Sequence, residues 1–148
     1  MGTVLSRSKW RREMGNGAID AAGDVERVEF PGAGVLGFPP SVAGSQQLVC
    51  GDLAFRPGDA FNFHHHPNQD EVLYLMEGEL EAWVEDVRSD LRPGDFMHLP
   101  AGVVHACFND SDKDAKMIVA LSPRIAGEEL GFELVDDSEE EPWASLRG

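Results

Sequence analysis

Turn signals recur at short intervals through the middle of this 148-residue chain. Pro57-Gly58, Glu77-Gly78, Pro93-Gly94 and Pro100-Ala101-Gly102 each interrupt a short apolar stretch. Punctuation of this kind predicts an all-β sandwich or barrel over the span from Gln46 to Leu121. Within it, Leu53 and Phe55 alternate up to the Arg56-Pro57-Gly58-Asp59 turn, and Glu71 to Met76 reads as a strongly apolar strand. Leu80, Ala82 and Val84 fall on one face of a further strand, with Glu79, Glu81, Trp83 and Glu85 on the other. The glutamates assign that second face to solvent. Trp83 among them marks either a subunit contact or a lone exposed aromatic.

The flanks have a different texture. Residues 1–45 mix charges with Gly, Ala and Pro and read as an N-terminal arm, in which only Glu26 to Phe30 alternates well enough for an outer strand, ended by Phe30-Pro31-Gly32. Residues 46–122 form the barrel core. Residues 123–148 are an acidic C-terminal extension, and its run Asp136-Asp137-Ser138-Glu139-Glu140-Glu141 reads as a solvated tail. The length suits one domain, and a hydrophobic fraction of 42% supports a packed core.

Twelve Lys and Arg against 27 Asp and Glu give a net charge of -15. Such a surface repels nucleic-acid backbones and anionic membrane faces, so neither is expected as a partner. Two cysteines, Cys50 and Cys107, cannot build a disulfide framework. The basic stretch from Arg7 to Arg12 is not followed by the apolar run of a secretory signal, and no stretch approaches a membrane span. A cytoplasmic protein is the expectation. No repeat, Walker loop, GxSxG elbow or CxxC pair is found.

All five histidines lie in one stretch: His64, His65, His66, His98 and His105. On an extended strand His64 and His66 share a face, while His65 points to the other. Glu71, five residues beyond His66 and across a turn, can return its carboxylate to the same point. His105 follows the bend Pro100-Ala101-Gly102-Val103-Val104, which delivers a further ligand from a distant strand. Three neutral imidazoles and one carboxylate make a borderline site for a first-row divalent metal.

The spacing is also specific. Gly58, His64, His66, Glu71 and Gly78 stand as G-x5-H-x-H-x4-E-x6-G, and Gly94, Pro100, Gly102, His105 and Asn109 as G-x5-P-x-G-x2-H-x3-N. These two blocks resemble the two signature motifs of the cupin family, and the resemblance covers roughly residues 46 to 122. It implies an all-β cupin barrel, a double-stranded β-helix of jelly-roll type made of two antiparallel sheets. It also implies one divalent transition-metal ion held inside by His64, His66, Glu71 and His105, and pairing into a homodimer.

Strand parity then fills in the surroundings. Cys107, two residues beyond His105, points to the metal side, as do Asn62 beside His64 and Leu73 and Leu75 beyond Glu71. These four are the candidate pocket residues. His65 is expected to support the site or lie at the surface, His98 to be packed or hydrogen-bonded, Tyr74 to face away from Glu71, and Asn109 to fix local backbone.

Open positions on such an ion suit an oxidoreductase of dioxygenase type acting on a small neutral or aromatic organic substrate. Fe is the expected metal for oxidative chemistry, although Mn, Ni, Co, Cu and Zn accept the same donors. One alternative is a non-redox lyase, isomerase or polyketide-type cyclase using the ion as a Lewis acid. The other is a non-catalytic module that binds a small molecule or a metal.

Overall fold

Alternating burial organises the strands. In β3 (Val49–Phe55) and β10 (Ala115–Ser122) every second residue is buried, and Glu71, Leu73 and Leu75 follow the same phase in β5 (Asp70–Glu77). Residues two apart share a face, so these strands turn one apolar face inward and leave the other to solvent. The computed structural model describes residues 17–148, and the stretch from Arg7 to Arg12 lies outside them.

Two antiparallel sheets enclose the core. The larger has the order β1-β2-β3-β10-β5-β8, with β1 spanning Glu26–Phe30, β2 Gly34–Phe38 and β8 Phe96–Leu99. The smaller has the order β11-β4-β9-β6-β7, formed by β4 (Ala60–His65), β6 (Leu80–Val84), β7 (Val87–Leu91), β9 (His105–Phe108) and β11 (Val135–Asp136). Sequence neighbours such as β4 and β5 lie in different sheets, so the chain winds across the barrel as a jelly roll. Val49, Phe55, Leu75, Leu80 and Met117 fill the interior with almost no exposure. Gly78 ends β5 at a positive φ of 83°, where a Cβ would sit 2.6 Å from the Asp114 carbonyl oxygen. Only glycine fits that turn.

The N-terminal region adds a hairpin, β1 and β2, to the open edge of β3. Arg27 ties this hairpin to the sheet through a 2.5 Å bond to Asp52. Gly34 and Gly37 obscure the alternation of β2, which is why the sequence points only to β1.

The C-terminal region departs most from expectation. The acidic run is not a free tail: β11 pairs with β4, setting Val135 opposite His65 and Asp136 opposite His64. A short helix, α1 (Trp143–Leu146), then packs on the outside of the smaller sheet. There Trp143 stacks on Phe63 at 6.0 Å between ring centroids, and the Arg147 guanidinium lies 3.7 Å over the ring of Phe108. Most of the carboxylates face outward, with Asp137 turned onto His65, while apolar and aromatic residues on either side of the run supply the docking surface. Trp83 is covered by this packing, only 8% exposed, and its indole N–H donates to Glu81. Its burial is therefore accounted for within the chain. Among the described residues no helix is long and apolar enough to cross a membrane.

Candidate metal centre

The floor of the barrel is set by β4, β5 and β9. His64 and His105 are register partners across the β4–β9 ladder, and His66 follows directly after β4. The three imidazoles converge, with one nitrogen from each lying within 4.8 Å of the others. Glu71, at the head of β5, meets two of them: Oε2 is 3.3 Å from His66 Nε2, and Oε1 is 2.9 Å from His105 Nε2. His66, Glu71 and His105 are all buried.

The hydrogen bonds around the rings decide which nitrogens are free. His64 Nδ1 meets the Asn62 carbonyl oxygen at 2.6 Å, His66 Nδ1 meets that of Glu133 at 2.5 Å, and His105 Nδ1 meets that of Val103 at 3.0 Å. A carbonyl oxygen only accepts, so each Nδ1 carries the proton and donates. In the neutral ring each Nε2 is then left with a lone pair. This is how outer partners fix the tautomer of metal-binding histidines.

His105 shows the consequence most plainly. Its Nε2 is buried with no hydrogen-bond partner, although Glu71 Oε1 stands 2.9 Å away. The short distance therefore sets a lone pair against a carboxylate oxygen rather than making a hydrogen bond. Only a second proton on the ring or a cation between the groups relieves that contact. The donor set fits a divalent transition-metal ion on these grounds.

Electrostatics divide the cluster. Burial opposes ionisation of Glu71, but when His105 and His66 carry a second proton on Nε2 their hydrogen bonds and charge outweigh it and hold the carboxyl down at about 2. Burial likewise opposes a charge on His66, yet Glu71 raises its pKa overall. His64 is pushed down to about 4, first by burial and then by the neighbouring His105. A carboxylate beside a neutral imidazole is the protonation state that a metal requires.

Above the cluster lies an apolar cavity. Leu73 and Cys107 stand in its wall, together with Leu36, Phe55 and Phe61. Leu75 is fully buried in the core beyond the cavity. Asn62 is not in the wall: it is exposed, and its Oδ1 accepts from the backbone N–H of Phe63. The cause is a register shift in β4 between Phe61 and His64, which breaks simple alternation and brings Phe61 inward instead. Burial pushes the Cys107 thiol up to about 12, with Glu71 adding to the effect, and its Sγ lies 3.6 Å from Met97 Sδ. The neutral thiol is therefore a wall group and not a thiolate.

The other histidines stand apart. His65 Nδ1 bonds Asp137 at 2.6 Å on the outer side of β4, and His98 is exposed on the outer face of β8. Tyr74 lies on that outer face too, against Phe96 at 4.6 Å. Asn109 is fully buried and donates to the carbonyl oxygens of Phe55 and Lys113.

Sequence reasoning missed Phe132, Leu134 and the Glu133 carbonyl, which reach the site from the extension. The alternation Phe132-Glu133-Leu134 was the available signal, masked by the acids that follow.

A family model described as a cupin domain matches residues 51–121. Protein SchB of Streptomyces halstedii is 30% identical over 101 residues, covering 68% of this chain and 73% of that protein. Quercetin 2,3-dioxygenase of Bacillus subtilis (strain 168) is 38% identical over 68 residues, which is 46% of this chain and 20% of the dioxygenase. Among solved structures, KdgF from Halomonas sp. shares the fold with a TM-score of 0.65 at 20% identity, over 72% of this chain and 95% of that one.

Proposed function

The chain belongs to the cupin family, and from that premise we propose that it is a mononuclear metal-dependent enzyme of dioxygenase type. In this reading His64, His66, Glu71 and His105 hold one divalent ion, and the substrate is a small neutral or aromatic organic molecule. The observation that carries it is the locking of all three imidazoles by carbonyl oxygens, which leaves three Nε2 lone pairs beside one carboxylate. When bound, a redox-active ion such as Fe(II) supplies the means to bring substrate and dioxygen together, while Mn, Ni, Co, Cu and Zn fit the same donors.

The chain's own residues do the rest. Leu36, Phe55, Phe61 and Leu73 exclude water and pack against an apolar ring or chain. No Lys or Arg lines the cavity among the described residues, so nothing there grips a phosphate or free carboxylate. The polar end of a substrate would meet only the histidine floor. Glu71 is engaged by His66 and His105 and is no free base, which weighs against acid–base chemistry without an ion. The similarity to a quercetin 2,3-dioxygenase supports an aromatic substrate and the use of dioxygen. The homodimer belongs to the same proposal: Val72, Met76, Phe96 and Ile118 leave an exposed apolar patch on the larger sheet, and sedimentation equilibrium tests it.

Anaerobic loading with Fe(II), followed by oxygen-uptake assays with flavonols, diketones and thiols, tests the activity. Oxygen consumption stoichiometric with substrate loss is the expected result. Turnover without oxygen would replace it with Lewis-acid chemistry, and tight binding without turnover would make the chain a binding module.

A further inference from the structure

We propose that Gln69 is a positioning residue for the metal centre, acting through residues 131–137 of the C-terminal extension. The inference rests on the metal reading above and adds to it a part of the chain that neither signature block contains.

The three imidazoles are not locked in the same way. The carbonyls that hold His64 and His105 belong to Asn62 and Val103, each two residues upstream on the same stretch of backbone. Their orientation is therefore local and follows once the strand forms. The carbonyl that holds His66 belongs to Glu133, 67 residues away. His66 has its tautomer and ring direction fixed only when the extension lies in place.

What places the extension there is a buried amide. Gln69 is 1% exposed, and its hydrogen bonds run to the extension. Its Nε2 donates to the carbonyl oxygens of Pro123 at 2.7 Å and Gly131 at 3.1 Å, and its Oε1 accepts from the Glu133 backbone N–H at 3.1 Å. The same peptide segment thus receives Gln69 at its Glu133 N–H and His66 at its Glu133 carbonyl. Gly131 allows the close approach: at a φ of 77°, a Cβ there would lie 2.8 Å from Val49 Cγ2 and from Arg124 Cζ. Phe132 and Leu134, on either side of Glu133, line the cavity. One clamp therefore both orients a metal ligand and closes the wall above it.

Such coupling is reciprocal. If docking of residues 131–137 strengthens the metal site, a bound metal must strengthen their docking by the same factor. The experiment measures both sides, using Zn(II) as the probe. A competition titration against a chromophoric chelator gives the dissociation constant of the full-length wild type and of Gln69→Leu, which keeps the volume and removes every hydrogen bond. The expected weakening is about 10- to 100-fold, the range for loss of an outer partner of a ligating histidine. Amide exchange of β3, β5 and β10 should be unchanged in the variant. Faster exchange at residues 131–137 with an unchanged dissociation constant would make the clamp purely structural and overturn the inference. If Gln69→Leu fails to fold, the wild type still decides: Zn(II) should slow exchange of the Glu133 amide, and equal exchange with and without saturating Zn(II) would overturn it. A wild type that takes up no Zn(II) removes the metal reading itself, a result separate from any comparison with the variant.

Discussion

Strands β4 and β9 and the segment beyond Ser122 both reach the histidines, but they hold them by different physics. The strands are fixed by continuous backbone ladders and by a core in which Val49, Leu75 and Met117 have no measurable exposure. The extension has a two-residue strand, a single turn of helix and a set of side-chain anchors: Gln69 at one end, Asp137 on His65 midway, and Trp143 and Arg147 at the other. Segments with little buried backbone and few apolar contacts open at lower free energy than the core they rest on. The barrel therefore supplies donors that persist, and the extension supplies an orientation and a wall that can be released separately.

The sharpest break of this division is to remove a donor while sparing the fold. His66→Ala and His105→Ala should each lose most of their metal, by more than the ~100-fold that an outer partner costs, with β-sheet circular dichroism retained. Metal analysis of the purified variants measures this. Wild-type metal content in both would end the four-donor reading. Next in size is a change to the barrel core alone: Met117→Ala, at a site of 0% exposure, should cost about 2–5 kcal/mol in urea unfolding. The extension rests on the barrel and should be lost no later than the barrel unfolds. An extension that stayed ordered after the barrel had unfolded would break the division.

How much of this division is legible in the sequence depends on which interactions leave a local signature. Glu71, Leu73 and Cys107 sit where alternation places them, because β5 pairs with β10 without a shift from Asp70 to Leu75 and β9 pairs with β6 without one throughout. Asn62 does not, because the shift in β4 consumes one residue between Phe61 and His64 and no composition cue marks it. The extension is harder still. Its acids indicate solvent, and most of them do face solvent, but Phe132, Leu134 and Trp143 decide where the backbone goes. A carbonyl oxygen that orients a histidine 67 residues away has no side-chain identity to read.

Acid should loosen the far anchor of the extension as Glu81 takes up its proton. Burial raises the pKa of Glu81, but Arg147, Trp83 and Arg88 outweigh it and bring the carboxyl down to about 2 from the usual 4.5. A carboxyl with a depressed folded-state pKa contributes stability that is complete above about pH 4.5 and is lost as pH falls through about 2. Tryptophan fluorescence during acid titration reports on this contact, since Trp83 and Trp143 flank it. In Arg147→Gln the change should begin closer to the ordinary carboxylate range. Superimposable titrations of wild type and variant would show that Arg147 does not hold α1 in place.

The smallest expected effect is the one that best separates the two regions at a single position. His65 lies between two of the proposed metal donors in sequence, yet it faces away from them and bonds Asp137 of the extension at 2.6 Å. With side-chain exposures of 22% and 13%, that pair is worth about 1 kcal/mol or less of docking. His65→Ala should therefore keep stoichiometric metal while exchange of the Asp137 amide, which donates to the Phe63 carbonyl oxygen, becomes faster. Loss of metal comparable to that in His66→Ala would mean that the outward face of β4 reaches the ion after all. Unchanged exchange at Asp137 would instead place the holding of the extension on Gln69 and the aromatic anchors alone, because β11 adds only two residues of ladder to the β4 edge.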